Sequence, residues 1–440
     1  MHDIRVGILG LGTIGLGAAR ILMEQQALMA RRLGKTIRLV AAADRNLDRD
    51  FGLDLSSVRL TDDANDIVTA DDIDLVIELI GGYEPARTFV ATAIEHGKHV
   101  VTANKALIAK HGEELFPLAE KHGVAMGFEA AVGGGIPCLK VLREGLAAND
   151  IESIYGILNG TCNFILTKME NEKLGYDEVL KEAQALGYAE ADPTFDVEGI
   201  DTAHKLSILA SMAFGSHIKF DEVFTEGISK ITAADIEAVA ELGYRIKLLG
   251  IAKPHELHGE RQVEMRVHPT LVPLSVQLAQ VSDSYNAVML SGDFVEHTVA
   301  IGRGAGERPT ASAVIADVMD IARVLPSCIE ALAPPMGFVP SERCDMATLP
   351  MAEVQCEYYL RFMVQDEPGV IAAISTALAK HAISLEAVSQ KERHATHAVA
   401  VIMLTHATSE GNLQAAMRQI TALPSVQEDV FILRKESFGV

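Results

Sequence analysis

A chain of 440 residues exceeds one ordinary domain, and the usual scaling of domain size suggests about three. Hydrophobic residues at 49% and charged residues at 22% suit large buried cores and exclude a disordered or fibrous protein. Sixty acidic against 38 basic side chains leave a net charge of -22, which repels nucleic acid and anionic membrane, so an anionic ligand must be held by helix N-termini and a few placed cations.

Five cysteines, Cys138, Cys162, Cys328, Cys344 and Cys356, form no CxxC pair and are odd in number, which argues for reduced thiols. The opening "MHDIRVGILGLG" has an acid at Asp3 and reaches glycine too soon for a secretory signal, and no apolar run approaches the roughly 18 residues of a membrane span. A cytoplasmic enzyme or regulator is the expectation.

In chain order, "IRVGIL" reads as a strand, followed by the turn Gly10-Leu11-Gly12-Thr13-Ile14-Gly15 and a helix over about residues 14–32. "TIRLVAAAD", "DLVIEL", "KHVVTAN" and "GVAMGFEA" read as further strands, separated by helical patterns near 85–96 and 113–122. Strands alternating with helices predict a doubly wound, Rossmann-type parallel sheet over 1–130. The glycine turn then has the context of a dinucleotide fingerprint, with a tight turn, close pyrophosphate approach and close helix packing. At the end of the second strand, Asp44 suits a free ribose hydroxyl and Arg45 a 2′-phosphate, which places NADP ahead of NAD. Lys105 follows a strand's C-terminal end, where open α/β sheets bind ligands.

Residues 131–335 read as a second, mixed α+β domain, which the family resemblance given below makes the catalytic and dimerisation domain. "EAAVGGGIPC" joins Glu129 to three glycines with exposed backbone carbonyls, which suits either a hinge or a hard cation. In "YGILNGTCNFIL", Asn159-Gly160 marks a turn and Thr161 or Asn163 a helix start, either a bare cap or a donor set for a substrate carboxylate. "GYAEADPTFDVEGIDTAHK" gathers Glu190, Asp192, Asp196, Asp201 and Lys205. On a helix, Asp201 and Lys205 share a face, and a surface pair of this kind contributes only about 0.3–0.5 kcal/mol. The face continues as apolar "LSILASMAF", so the pair is expected at a cleft wall, with Lys205 a proton donor and the acids suited to an ammonium group. His204 points elsewhere and reads as structural.

"YRIKLLGIA" and "RQVEMRVHPTLV" read as strands with one wet face. "GRGAGERPTASAVIADVMDIARVL" is a glycine turn opening a helix, about 307–325, which the family resemblance given below implies returns to the first domain. Residues 336–354 read as a linker. From 355 to 440 the order strand, helix, strand, strand, helix, strand is ferredoxin-like (βαββαβ), with Asp366, Pro368 and Gly369 in a loop that presents N–H groups to a small ligand.

These motifs together resemble homoserine dehydrogenase of the long bacterial form with a C-terminal ACT domain, over essentially the whole chain. "NGTCNFI" and "GYAEADPTFDVEGIDTAHK" carry the resemblance most specifically. It implies an NAD(P)-dependent oxidoreductase that interconverts L-homoserine and L-aspartate 4-semialdehyde in threonine, methionine and isoleucine biosynthesis. It implies Lys205 as general acid/base with Lys105 as its partner at the nicotinamide, and Glu190, Asp201, Asp196, Gly160, Thr161 and Tyr188 around the substrate. Gly10, Gly12, Thr13, Ile14, Gly15, Arg45, Lys105, Gly187, Gly302 and Gly306 fall to the cofactor. Glu129 and the carbonyls of Val132, Gly134 and Ile136 match a sodium site. The ACT resemblance implies an amino-acid effector, in this pathway threonine, at Asp366, Pro368 and Gly369, and a homodimer or homotetramer.

Two rival readings are a semialdehyde dehydrogenase with Cys162 as nucleophile at a helix start, and a non-enzymatic amino-acid sensor.

Overall fold

The computed structural model describes residues 3–257, 259–325, 329–390 and 398–438, so Cys328 lies outside the described residues. Strands β1 (Ile4–Leu9), β2 (Ile37–Ala43), β3 (Arg59–Thr61), β4 (Leu75–Glu78), β5 (His99–Thr102) and β6 (Met126–Gly127) form one parallel sheet in the order β3-β2-β1-β4-β5-β6. Its central strands are near-continuously apolar because helices cover both faces. Strand order reverses between β1 and β4, and the crevice at their C-terminal ends is where such sheets bind ligands. The single helix expected over 14–32 is two, Thr13–Glu24 and Gln26–Leu33, because the backbone leaves helical geometry at Gln25. Helix Glu307–Val324 returns to this sheet, where Ala311, Val314, Val318 and Ile321 share a core with Ile4, Ile8, Leu22 and Ile77.

Strands β7 (Ile151–Ile157), β8 (Phe224–Thr225), β9 (Tyr244–Leu257), β10 (Glu260–Pro273), β11 (Tyr285–Gly292) and β12 (Glu296–Arg303) build a second sheet, ordered β12-β11-β7-β9-β10 with β8 paired to β10. The wet face expected for β9 and β10 is absent. Ile246, Leu248 and Ala252 point into the main core, while Leu249 and Ile251 point into a second core with Val276, Leu278, Val281 and Phe438. Alternation therefore separates two apolar cores, which a strand read in isolation cannot show.

Residues 334–353 connect to the last domain without being slack. Arg343 pairs with Glu113 at 2.6 Å, and β13 (Ala347–Thr348) pairs with β10. In the C-terminal domain, β14 (Gln355–Val364), β15 (Leu385–Gln390), β16 (Val399–Thr405), β17 (Thr408–Ser409) and β18 (Phe431–Lys435) pack with helices Val370–Lys380 and Glu410–Ile420. The order β18-β14-β16-β15 is the ferredoxin-like arrangement expected. Strand β18 also pairs with β10, Thr270 opposite Arg434, which fuses the two sheets.

Candidate active site

The glycine turn after β1 is shaped by its own backbone. Gly10 has φ +92°, and a Cβ at Gly15 would lie 1.9 Å from the Gly10 carbonyl, so neither position tolerates a side chain. Around Gly12 there is open space, and Gly12 starts helix Thr13–Glu24, whose first turn carries no acid. Thr13 and Ile14 open that helix. A free helix N-terminus beside open space fits the pyrophosphate of a dinucleotide in both charge and shape.

The ribose end is more crowded. Asp44 accepts hydrogen bonds from the Leu11 N–H at 2.9 Å and the Asn46 N–H at 3.0 Å. Arg45 is exposed beside it. Arg49, which the sequence reading passed over, donates to the Leu11 carbonyl and comes within 3.5 Å of Asp44 while lying over the Phe51 ring. An arginine five residues after an acid on a loop carries no periodic signal.

Across the crevice, the two lysines meet on one carboxylate. Lys105 begins helix Lys105–His122, which Asn104 caps by accepting from the Leu107 N–H at 3.1 Å. Lys205 lies on helix Ile200–Phe214, one turn after Asp201. Lys105 Nζ is 2.9 Å from Asp201 Oδ1, and Lys205 Nζ is 2.6 Å from Asp201 Oδ2. Lys205 also donates to the Leu158 carbonyl at 2.7 Å, so two of its three ammonium protons are committed and one is left for a ligand.

Burial alone would raise the Asp201 carboxyl, but Lys205 and Lys105 hold it well below the usual carboxylate range. Burial lowers Lys205, helped by the charge of Lys105 and opposed by Asp201. Burial also acts to lower Lys105, but Asp201, with Asp196 and Glu190 beyond, outweighs it and leaves Lys105 above its ordinary value. The two lysines on one carboxylate are thus pushed in opposite directions, Lys105 up and Lys205 down.

The remaining expected substrate residues surround this centre. Asn159 caps helix Gly160–Glu172, two positions before Thr161, and its amide donates to Asp196 at 2.7 Å and Asp201 at 2.9 Å. Thr161 donates to the Tyr188 carbonyl at 2.7 Å, and a Cβ at Gly160 would lie 2.8 Å from the Ser284 carbonyl. Gly187, Tyr188 and Glu190 are exposed in the loop upstream of Asp196. Asp192 is engaged locally, accepting from the Thr194 hydroxyl at 2.6 Å and the Thr194 N–H at 3.1 Å. His204 stacks on Phe220 with ring centroids 3.8 Å apart and meets Tyr83 of the first domain at 3.2 Å, so its role is packing between domains.

Glu129 is buried elsewhere, and its carboxylate accepts from the N–H groups of Leu139 at 3.0 Å and Lys140 at 2.9 Å. Burial, with Asp317 nearby, pushes its pKa up to about 8. The carbonyls of Val132, Gly134 and Ile136 lie in the adjoining loop, where Val132 accepts from the Cys138 S–H at 3.3 Å and Ile136 from the Cys138 N–H at 2.7 Å. That loop touches the second glycine segment, where the Gly135 N–H donates to the Arg303 carbonyl at 3.1 Å. Gly302 lies on β12 against Ile136, and Gly306 starts the helix that returns to the nucleotide domain. Gly369, at φ +98°, starts helix Val370–Lys380, with Asp366 and Pro368 in the turn before it.

A nucleotide crevice, a lysine pair on a buried acid and an appended ACT domain together define an NAD(P)-dependent oxidoreductase with a regulatory module. Family models match at residues 10–129 (homoserine dehydrogenase, NAD binding domain), 137–319 (homoserine dehydrogenase) and 358–425 (ACT domain). The chain is 46% identical to a homoserine dehydrogenase of Neisseria gonorrhoeae over 99% of both chains, and 47% identical to one of Pseudomonas aeruginosa over 100% of both. It is similar to the crystal structure of a homoserine dehydrogenase from Thiobacillus denitrificans, with a TM-score of 0.94 and 49% identity over 100% of this chain and 99% of that one. A hyperthermophilic archaeal homoserine dehydrogenase solved with NADPH matches at a TM-score of 0.62 and 26% identity over 74% of this chain and 99% of that one. The chain belongs to the homoserine dehydrogenase family.

Proposed function

We propose that the chain catalyses the NAD(P)-dependent interconversion of L-homoserine and L-aspartate 4-semialdehyde, and so serves threonine, methionine and isoleucine biosynthesis. The observation that supports this most directly is the meeting of Lys105, from the nucleotide domain, and Lys205, from the second domain, on Asp201.

The nicotinamide cofactor, when bound at the glycine turn, supplies or accepts the hydride at the substrate's C4. The third Lys205 proton goes to the oxygen on which charge develops, and Lys105 adds a fixed positive charge; proton transfer by a positioned group typically contributes about 10²–10⁴-fold. Asp196, Asp201 and Glu190 receive the substrate's ammonium group. Burial and the Asp201 charge raise Asp196 and limit binding at low pH. Arg45 gives NADP preference over NAD through the 2′-phosphate.

Glu129, with the Val132, Gly134 and Ile136 carbonyls, holds a sodium ion, whose charge would favour the ionised form of a carboxyl that burial otherwise raises. The turn at Asp366, Pro368 and Gly369 binds threonine as feedback inhibitor, for which a coupling of about 1–3 kcal/mol suffices. The exposed edge strand β12 suits a homodimer, with ACT pairing extending it to a tetramer. Four described cysteines are free, as befits a cytoplasmic enzyme. No described helix is long and apolar enough to cross a membrane.

The rival nucleophile finds no support. Burial holds the Cys162 thiol well above its ordinary pKa, and its S–H donates to the Asp196 carbonyl at 3.3 Å. Homoserine-dependent reduction of NADP and of NAD, with and without sodium and threonine, tests the whole reading. No turnover would reject it, and threonine failing to bind in calorimetry would remove the effector.

A further inference from the structure

We propose that Asn159 is a positioning residue: its single amide clamps the Asp196 and Asp201 carboxylates side by side, so that both face the substrate's ammonium. This inference rests on the reaction proposed above. The orientation of the amide is fixed at both ends. Its oxygen accepts from the Cys162 N–H at 2.8 Å and caps helix Gly160–Glu172, so the NH₂ group must face away from that helix. There it donates one proton to Asp196 Oδ1 at 2.7 Å and the other to Asp201 Oδ2 at 2.9 Å. Asn159 is 5% exposed, so water does not substitute for it.

The two acids are not equally supported. Asp201 is flanked by both lysines. Asp196, among the described residues, contacts no lysine; its side-chain donor is Asn159, since the Thr161 hydroxyl, 3.4 Å away, gives its proton to the Tyr188 carbonyl. The charged and titratable groups around the pair are Lys105 on its own helix, Lys205 and His204 beside Asp201, Cys162 on the capped helix, and Glu190 and Glu198 in the flanking loop. Burial and Asp201 act to neutralise Asp196, while the Asn159 N–H favours its charged form. Without the clamp, Asp196 is a half-buried acid beside another acid, its charged form favoured through space by Lys205 and Lys105 but by no amide donor.

Asn159→Ser separates clamping from capping, because serine starts helices as well as asparagine but is too short and too poor in donors to reach two carboxylates. We expect the homoserine KM to rise and kcat/KM to fall roughly 10- to 100-fold near neutral pH. The acidic limb of the kcat/KM profile should move to higher pH, with activity recovering above it, while the KM for NADP stays unchanged. A uniform fall at every pH, or no fall, would overturn the role. If the serine variant fails to melt cooperatively, Asn159→Asp, which keeps shape and cap but offers no donor, should show the same displacement more strongly; an unmoved limb there is equally fatal. Wild-type enzyme without homoserine-dependent turnover would remove the underlying reaction and this role with it, whereas active wild type and an unmoved limb would remove the clamp alone.

Discussion

Arg266, at the seam of β10 and β18, and Lys205, in the cleft, are both buried cations, yet they are satisfied differently. Arg266 donates to Glu264 at 2.6 Å, Glu436 at 2.6 Å and His268 at 2.5 Å, which engages all three guanidinium nitrogens. The acids are equally occupied: Glu436 also takes Lys253 at 2.7 Å, and Glu264 also takes His255 at 2.7 Å. Nearby, Arg434 forks onto Glu410 with two bonds of 2.9 Å and reaches Glu226 at 2.7 Å. Lys205 instead keeps one proton uncommitted beside an acid shared with a second lysine. Buried charge by itself therefore says little about chemistry; a group left incompletely paired at a cleft is the one that has something to exchange.

The largest test of this contrast is Lys205→Ala. Turnover should fall about 10²–10⁴-fold with the homoserine KM changed only a few-fold. Because Lys105 still pairs with Asp201, folding should suffer less than catalysis. Near wild-type turnover would place Lys205 in the same class as Arg266. The converse substitution, Arg266→Ala, should cost about 3–5 kcal/mol in urea unfolding, since Glu264 and Glu436 would be left buried without their partner. The folded fraction should turn over normally. A selective loss of kcat in stable Arg266→Ala protein would break the contrast from the other side.

Acid should act on the two regions through different readouts. Burial would raise Glu264, but Arg266, His255 and Lys253 overcome it and hold the carboxyl at about 2, against an ordinary value of 4.5. A depressed carboxyl contributes stability that is complete above its unfolded value and is lost as pH falls through its folded one. The seam should therefore lose stability between about pH 4.5 and 2, and Glu264→Gln should flatten that part of the melting curve. In the cleft, the raised Asp196 should cost activity at higher pH, where the seam is still intact. Coincident loss of fold and activity would merge the two regions into one titrating unit.

How much of this could be read beforehand follows from sequence distance. The glycine turn, Lys105 after a strand and Lys205 one turn after Asp201 are local patterns, and each is legible because strand, turn and helix periodicities fix it within a few residues. The ferredoxin-like order was equally open, since its six elements are short and well separated. What spacing could not reveal was convergence. Asn159 meets Asp196 and Asp201 across 37 and 42 residues of chain, and neither reading of its segment, as a cap or as a donor set for a substrate carboxylate, gave any sign of a contact with two acids. Arg49 over Leu11 and Asp44 is hidden for the same reason. The second apolar face of β9 and β10 was invisible because it is covered by residues near 276–281 and by Phe438, far along the chain.

The smallest effect expected belongs to Cys162, and it sharpens the contrast within the cleft itself. This thiol lies at the start of helix Gly160–Glu172, beside both site acids, where a nucleophile would stand. Yet it is paired in the manner of the seam: its S–H goes to the Asp196 carbonyl at 3.3 Å, and its N–H to Asn159 at 2.8 Å. Burial and the neighbouring carboxylates keep it protonated, so it offers neither a thiolate nor a free donor. Cys162→Ser preserves the hydrogen bond and nearly the volume, so kcat should stay within about two-fold and stability within about 1 kcal/mol. A loss of turnover as large as that of Lys205→Ala would mean that proximity to the acids, not an uncommitted proton, decides which groups in this cleft do chemistry.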